Sequence, residues 1–196
     1  MIAGIDEAGR GAWVGNVVAA AVILPADYDL PLLSDSKKLS PKQRENLFSA
    51  IYEQAIAIGI GQMSAQDIDN LNILQATMQA MRQAALNLED KNANPVQAAE
   101  FLIDGNRVPE NLPAPARAII GGDAKIAAIS AASIIAKVTR DRQMLELGER
   151  YPHYGFAAHK GYGTAAHQKA IAKFGILPEH RRSYKPIKAL LQDELF

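Results

Sequence analysis

An uninterrupted apolar run, Val17–Leu24, limits what this chain can fold into more than any other feature. A valine-rich run of this length, with no polar side, is typical of a strand that is buried on both faces. The apolar residues Met1–Asp6 predict a second strand, and the turn Gly9-Arg10-Gly11 lies between the two. Because the connection is short, we expect an antiparallel pair.

Further strands and helices alternate along the rest of the chain. Ser40-Pro41-Lys42-Gln43 predicts the start of a capped helix that ends near Gln54. Three more strands are predicted at 55–63, 100–104 and 117–120, and further helices at 64–88, 125–150, 164–174 and 186–195. This order predicts an α/β layer with a mixed sheet. We expect a single domain over residues 1–196, in which roughly 151–196 forms a small basic C-terminal lobe.

Composition excludes several classes of protein. The 196 residues include no cysteine, which excludes disulfide scaffolds, thiolate zinc sites and cysteine nucleophiles. No stretch approaches the ~20 apolar residues of a membrane span. The N-terminus carries neither a basic region nor a cleavage site. We therefore expect a cytoplasmic protein with no membrane association.

The zero net charge hides an asymmetry between the two ends of the chain. Residues 150–188 carry eight basic side chains against the single acid Glu179, and they include all four histidines. Residues 1–36 carry five acids against Arg10 alone. This division favours one part that holds cations and another that holds a polyanion. A solvated surface with an uneven charge distribution is the alternative.

Acidic residues follow three of the predicted strands: Asp6 with Glu7, then Asp104, then Asp123. Ligand sites of open α/β sheets form beyond the carboxyl ends of strands. Carboxylates gathered there need raised pKa values or a bound divalent cation, and oxygen-only ligands favour Mg²⁺ or Mn²⁺. Two such ions can support phosphodiester cleavage.

Each acid also has a structural alternative. Asp123 precedes a predicted helix and could be its N-cap, and Asp104 before Gly105 could be a turn residue. Asp6 and Glu7 would point to opposite faces of a regular strand, so they share a site only if the strand ends or bends between them.

Two glycine motifs suggest contact with a ligand. Gly9-Arg10-Gly11 allows a close approach of the backbone. Tyr162 lies between Gly161 and Gly163, where its ring could stack on a sugar or base. A tyrosine that merely holds its loop in place is the alternative.

Taken together, these motifs resemble the bacterial ribonuclease HII family. The segments that carry the resemblance are Asp6-Glu7-Ala8-Gly9-Arg10-Gly11, Asp35-Ser36-Lys37-Lys38-Leu39, Ile103-Asp104-Gly105, Ser130-Ala131-Ala132-Ser133-Ile134-Ile135-Ala136-Lys137, His159-Lys160-Gly161-Tyr162-Gly163-Thr164 and His180-Arg181-Arg182-Ser183. They cover nearly the whole chain in the order of the family. After Gly11 the chain departs from it: Ala12-Trp13-Val14-Gly15-Asn16 lacks the two prolines that the family usually has there.

The resemblance implies a ribonuclease H-like fold with a mixed five-stranded sheet flanked by helices. It implies a metal-dependent endonuclease that cleaves the RNA strand of RNA–DNA hybrids and incises at single ribonucleotides in duplex DNA, leaving 5′-phosphate and 3′-hydroxyl ends. It assigns catalysis and the binding of Mg²⁺ or Mn²⁺, as two ions with substrate bound, to Asp6, Glu7, Asp104 and Asp123. Substrate binding is expected at Gly9, Arg10, Gly11, Lys37, Tyr162, Arg181 and Arg182.

The chain end resembles a different kind of motif. Gln192, Leu195 and Phe196 have the spacing of the short peptide by which bacterial repair and replication proteins hold the sliding clamp. Alternatively, Leu195 and Phe196 pack onto the terminal helix of the chain itself. We expect the enzyme to be a monomer.

Two other functions remain open on the residues alone. A glycosidase would use two of the carboxylates as acid and nucleophile and would need no metal. A nucleic-acid-binding module without catalysis would explain the basic end but not the acids that follow the strands.

Overall fold

The computed structural model describes residues 1–33 and 39–193. Five strands form one sheet: β1 (Ile2–Ala8), β2 (Val17–Ile23), β3 (Ala57–Met63), β4 (Glu100–Asp104) and β5 (Ala116–Ile119). Their spatial order is β3-β2-β1-β4-β5. The pairs β1–β2 and β2–β3 are antiparallel, whereas β1–β4 and β4–β5 are parallel. This confirms the predicted mixed sheet and the antiparallel pair at its centre.

The described part of the chain contains seven α-helices: α1 (Pro41–Gln54), α2 (Ala65–Leu71), α3 (Ile73–Leu86), α4 (Ala127–Arg150), α5 (Phe156–His159), α6 (Ala165–Phe174) and α7 (Lys185–Asp193). Among the described residues, none of these helices is long and apolar enough to cross a membrane.

The sheet is covered on both faces, which explains why every residue of β2 is buried. Ala80 and Ala84 of α3 pack on one face, and Ala131 and Ile135 of α4 pack on the other. Small residues let the layers approach closely: a Cβ on Gly4 of β1 would lie 2.2 Å from the backbone of Ala128 in α4.

The continuous helix predicted over 64–88 is wrong in one respect. Asn72, with φ of 69° and ψ of 161°, separates α2 from α3. Its side chain then caps α3 by accepting a hydrogen bond from the Gln75 N–H at 3.1 Å. The apolar spacing runs unbroken through this break, so periodicity alone did not reveal it.

The chain after α4 packs against the loop between β1 and β2. Val14 of that loop lies in one apolar cluster with Met144 of α4, Phe156 of α5, Ile171 of α6 and Ile187 of α7. Val14 also forms an isolated β-bridge with His180. The C-terminal segment is therefore held directly against the loop that contains the glycine turn.

Candidate active site

The acids of β1 and β4 lie near the carboxyl ends of these strands, at the same edge of the sheet. The two strands are parallel neighbours with Ile5 opposite Ile103, so Asp6 and Asp104 follow this pair on adjacent strands. β4 ends at Asp104, whereas β1 continues past its predicted end at Asp6 to Ala8, with Asp6 and Glu7 still paired to β2. Asp6 is only 6% exposed. Its burial, together with the negative charges of Glu7 and Asp104, raises the pKa of Asp6 to about 8.

Glu7 belongs to the same electrostatic cluster, although a regular strand would turn it away from Asp6. Burial raises the pKa of Glu7, the nearby Arg10 lowers it, and Asp104 raises it further. The Arg10 guanidinium pairs with Glu7 Oε1 at 3.2 Å. Asp6 Oδ1 turns along the strand to accept a hydrogen bond from the Glu7 N–H at 2.7 Å.

The turn after β5 brings Asp123 near Asp104. Asp104 Oδ1 accepts hydrogen bonds from the Gly122 N–H at 2.7 Å and, more weakly, from the Asp123 N–H at 3.4 Å. Asp104 is thus not a simple turn residue. Asp123 is not the N-cap of α4 either, because that helix begins at Ala127 with Ile126 in the cap position. The Asp123 residue is buried in a single 3₁₀ turn.

This set of acids has the chemistry of a site for a hard divalent cation. Its donors are all carboxylate oxygens, and the pKa values of Asp6 and Glu7 are raised first by burial and then by the negative charge of neighbouring acids, which a bound cation would offset. Within residues 1–33 and 39–193, no three acidic or histidine side chains already converge on one ion position. Mg²⁺ commonly takes one or two carboxylates and completes its shell with water and substrate phosphate, so the residues fit such an ion.

The glycine turn lies immediately beyond the acids, and two buried arginines brace it. Gly9 has φ of +92°, and a Cβ there would lie 2.0 Å from Arg140 Nε. Arg140 donates to the carbonyls of Asn16 at 3.2 Å and Val14 at 3.1 Å. Arg140 therefore packs directly against Gly9 and holds the backbone of the loop that follows the turn.

The loop that carries Tyr162 is anchored at three consecutive carbonyl groups. Arg140 Nη1 donates to the Lys160 carbonyl at 3.0 Å, and the Trp13 N–H donates to the Gly161 carbonyl at 2.8 Å. The Tyr162 carbonyl accepts from the Thr164 N–H at 2.8 Å and lies 3.0 Å from His167 Nδ1. The Tyr162 side chain remains exposed beside Gly11.

Trp13, one of the departures noted above, connects the turn to this loop. Its ring lies over Gly163, where a Cβ would approach Trp13 Cζ2 to 2.1 Å. In this chain the aromatic ring packs directly on the loop that follows Tyr162.

A groove of about 260 Å³ joins these parts. Glu7, Gly9 and Tyr162 line it together with the cations Arg44 and Lys137. The Glu7 carboxylate, an open glycine backbone, an exposed aromatic ring and two cations thus share one depression, which suits a sugar–phosphate chain.

A family model for ribonuclease HII matches residues 3–187 of the chain. The chain belongs to the ribonuclease HII family. Curated ribonuclease HII proteins support this: that of Dichelobacter nodosus is 63% identical over 98% of both chains. That of Neisseria meningitidis serogroup A is 51% identical over 100% of this chain and 98% of its own.

Solved structures confirm the ribonuclease HII fold. Ribonuclease H2 from Pyrococcus horikoshii OT3 superposes with a TM-score of 0.80 at 26% identity, covering 98% of this chain and 97% of its own. Ribonuclease HII from Archaeoglobus fulgidus, solved as a complex with PCNA, gives 0.76 at 29% identity over 94% and 95% of the two chains. The protein is therefore a metal-dependent ribonuclease H that acts on the RNA strand of RNA–DNA hybrids, which excludes the glycosidase and the non-catalytic module.

The structure corrects one of the predicted substrate contacts. Arg181 is fully buried, and its guanidinium donates to the carbonyls of Ala12 at 2.7 Å, Arg10 at 3.0 Å and Gly15 at 3.0 Å. It braces the glycine turn from inside and is not available to a phosphate. Arg182 is exposed, as a substrate contact requires.

Other predicted residues fall outside what the structure describes. Lys37 lies in the segment 34–38, and Leu195 and Phe196 lie beyond residue 193. The side chain of Gln192 is likewise outside the described part. Their expected roles remain predictions from the sequence.

Sequence reasoning missed Arg140, which packs against Gly9 and donates to the loop after the glycine turn and to the Tyr162 loop. A signal was present: Arg140 lies four residues from both Ala136 and Met144, so it falls on the buried face of α4. A charged residue on an otherwise apolar helix face indicates a polar partner in the interior.

Proposed function

We propose that this chain incises duplex DNA at single embedded ribonucleotides, in addition to cleaving RNA–DNA hybrids, by two-metal phosphodiester hydrolysis. The products would be 5′-phosphate and 3′-hydroxyl ends. The observation that carries this proposal is the groove in which Glu7, Gly9 and Tyr162 lie together. It places the Glu7 carboxylate, one of the four acids, beside a backbone and a ring that can recognise one sugar.

Asp6, Glu7, Asp104 and Asp123 would hold the Mg²⁺ or Mn²⁺ ions. When bound, such ions activate a water and stabilise the leaving oxygen of the phosphodiester. The contribution of the chain is to keep the carboxylates together at one sheet edge. Asp104 is held by the Gly122 N–H, and Asp6 by the Glu7 N–H. Deprotonation of Asp6, whose pKa lies at about 8, would accompany the binding of the ions.

Recognition of the ribonucleotide would fall to Gly9, Arg10, Gly11 and Tyr162. The braced glycine turn presents backbone groups to the 2′-hydroxyl, which is the atom that distinguishes RNA from DNA. The exposed Tyr162 ring stacks on the sugar at the RNA–DNA junction. Arg44, Lys137 and the exposed Arg182 neutralise phosphates on either side.

The basic segment 151–196 is proposed to act as a lobe of a single catalytic domain, 1–196, with the enzyme working as a cytoplasmic monomer. Its main role would be electrostatic, because Lys169, Lys173, Lys185 and Lys188 are all exposed. Lys37 would add a further cation for the substrate.

A sliding clamp is the proposed protein partner. A structural neighbour, ribonuclease HII from Archaeoglobus fulgidus, was solved as a complex with PCNA. In this chain Gln192, Leu195 and Phe196 supply the sequence of a clamp-binding peptide. Removal of Leu195 and Phe196 should abolish affinity for the clamp and leave cleavage of free duplex unchanged. A large drop in melting temperature would instead mean that the tail packs on the enzyme.

The test of the proposed activity compares three labelled duplexes: a long RNA–DNA hybrid, DNA with one ribonucleotide, and the matching all-DNA duplex. We expect Mg²⁺-dependent cleavage of the first two, no cleavage of the third, and loss of all cleavage in EDTA. Resealing of the nick by a DNA ligase, without added polymerase, would verify the 3′-hydroxyl and 5′-phosphate ends. Cleavage of the hybrid alone would contradict the proposed incision at single ribonucleotides.

A further inference from the structure

Three histidines form a stack behind the loop that carries Tyr162. The His159 and His167 rings are nearly parallel with centroids 4.6 Å apart, and the His167 and His180 centroids are 5.3 Å apart. His167 and His180 are fully buried, with Nε2 atoms 3.2 Å apart. Neither the metal chemistry nor the substrate groove uses these rings.

The hydrogen bonds fix the proton on each of the two buried rings. The Leu177 N–H donates to His180 Nδ1 at 2.9 Å, so that nitrogen carries no proton and the neutral ring is protonated at Nε2. His180 Nε2–H therefore donates to His167 Nε2. His167 is then protonated at Nδ1, which is 3.0 Å from the Tyr162 carbonyl, a group that can only accept.

The two rings thus form a directed relay that starts at a backbone N–H and ends at the Tyr162 carbonyl. Every donor in it has one acceptor, and reversing any single tautomer would leave two donors or two acceptors face to face. Such fully satisfied buried networks rigidify the groups they connect. The relay ends on the one residue of the loop whose ring is expected to touch the substrate.

We propose that His167 is a positioning residue for Tyr162, held in its Nδ1–H tautomer by His180, and that this relay sets the activity on a single ribonucleotide relative to that on a long hybrid. The inference rests on the proposed role of Tyr162 at the RNA–DNA junction. A lone ribonucleotide offers one such junction. A misplaced Tyr162 ring should therefore lower cleavage at a lone ribonucleotide more than cleavage of a long hybrid.

The surroundings keep both rings neutral. Burial lowers the pKa of His167 and of His180 to about 4, and the pKa is lowered further by His159 at His167 and by His167 at His180. The groups that face the pair are aromatic or neutral: Trp13 and Phe156 contact His167, and Tyr154 and Phe156 contact His180. No carboxylate is in hydrogen-bond contact with either ring within the described residues.

The tautomers can be observed directly in the native protein. Long-range ¹H–¹⁵N correlation spectra of ¹⁵N-histidine-labelled enzyme should show His167 protonated at Nδ1 and His180 protonated at Nε2 at pH 7. His153, which stacks on Phe174 at the surface, is the internal reference. Protonation of His167 at Nε2 would overturn the relay, whatever the activity of any variant.

The functional test uses two variants of nearly equal shape. The side chain introduced by His167→Asn can still donate to the Tyr162 carbonyl, whereas that of His167→Leu cannot. We expect His167→Leu to lower the ratio of kcat/KM for a single ribonucleotide to that for a long hybrid by about tenfold, which is about 1.4 kcal/mol. His167→Asn should stay within about threefold of the native ratio, which is under 1 kcal/mol.

Melting temperatures and a Tyr162→Ala variant separate the possible failures. Equal ratios for the Asn and Leu variants, with equal losses of melting temperature, would reduce His167 to a structural residue and overturn the inference. An unchanged ratio in Tyr162→Ala would instead contradict the proposed role of Tyr162. If His167→Leu does not fold, the same ratio of kcat/KM values is compared between His180→Gln, whose side chain can still donate to His167, and His180→Leu, whose side chain cannot.

Discussion

Asp104 and Gly122 are joined by a hydrogen bond in which the Gly122 N–H donates to Asp104 Oδ1 at 2.7 Å. This bond connects the end of β4 to the turn that contains Asp123. One carboxylate oxygen of Asp104 is thus used to hold the turn, and the other remains for a ligand. The arrangement explains how acids distant in sequence are kept at one edge of the sheet.

Gly122→Ala should disrupt this connection. A Cβ there would lie 2.6 Å from Ile129 Cδ1 and 3.4 Å from Asp104 Oδ1. We expect a loss of about 1–3 kcal/mol in the free energy of unfolding and a matching loss of cleavage rate. Urea denaturation and single-turnover kinetics measure the two effects. Gly105→Ala is the control, because it meets nothing within 4 Å and adds only the strain of its φ of +97°; equal behaviour of both variants would contradict the steric argument.

The stability of the metal-free protein should depend on the protonation of Asp6. Its pKa is raised from 3.8 to about 8 by burial, by Glu7 and by Asp104. The folded state therefore binds more protons than the unfolded chain between these values. Consequently the free energy of unfolding falls as the pH rises from about 4 to about 8. Asp6→Asn, neutral throughout, should show a flatter profile in thermal melts across that range, and an unchanged profile would refute the assignment.

Binding of Mg²⁺ should release a proton at neutral pH. Because Asp6 is mostly protonated at pH 7 and metal ligands must be deprotonated, we expect about one proton to leave per binding event. Titration calorimetry in buffers of different ionisation enthalpy measures this number. The release should disappear above pH 9 and in Asp6→Asn. Binding without proton release at pH 7 would mean that Asp6 is already ionised.

The two adjacent arginines should behave differently when replaced. Arg181→Met leaves the carbonyls of Arg10, Ala12 and Gly15 without their donor, so we expect a loss of about 3 kcal/mol or more in unfolding free energy. Arg182→Ala should change stability by less than about 0.5 kcal/mol. It should instead reduce the slope of log affinity against log salt by about 1, measured with a DNA duplex. Equal effects of the two substitutions on the salt slope would contradict the bracing role of Arg181.

Much of the site could be predicted because it follows from the positions of acidic residues at the ends of apolar segments. Apolar segments ending in Asp6 and Asp104 predict strands, and parallel neighbours place their carboxyl ends together. The bracing of the glycine turn was not predictable in the same way. Arg140 and Arg181 donate to backbone carbonyls up to 171 residues away. Because every residue has a backbone carbonyl, the sequence does not show which ones accept these hydrogen bonds.

The buried histidines show the same limit. Their clustering in residues 153–180, within the basic end of the chain, predicts that they belong to the part that holds a polyanion. In the structure His167 and His180 face inward and are neutral, because the aromatic packing of the C-terminal segment surrounds them. The break at Asn72 was hidden for a related reason, since a single positive φ does not disturb the apolar spacing on either side.

The most direct test of the account is single-turnover cleavage of a duplex with one ribonucleotide by the native enzyme and by Asp104→Asn. The amide oxygen of the introduced asparagine can still accept the hydrogen bond from the Gly122 N–H, so the fold should survive while one carboxylate charge is lost. We predict that the rate in Mg²⁺ falls by about 10³-fold, with the affinity for the duplex within about threefold of native. A rate for Asp104→Asn close to that of the native enzyme, or equal native rates with and without EDTA, would contradict it.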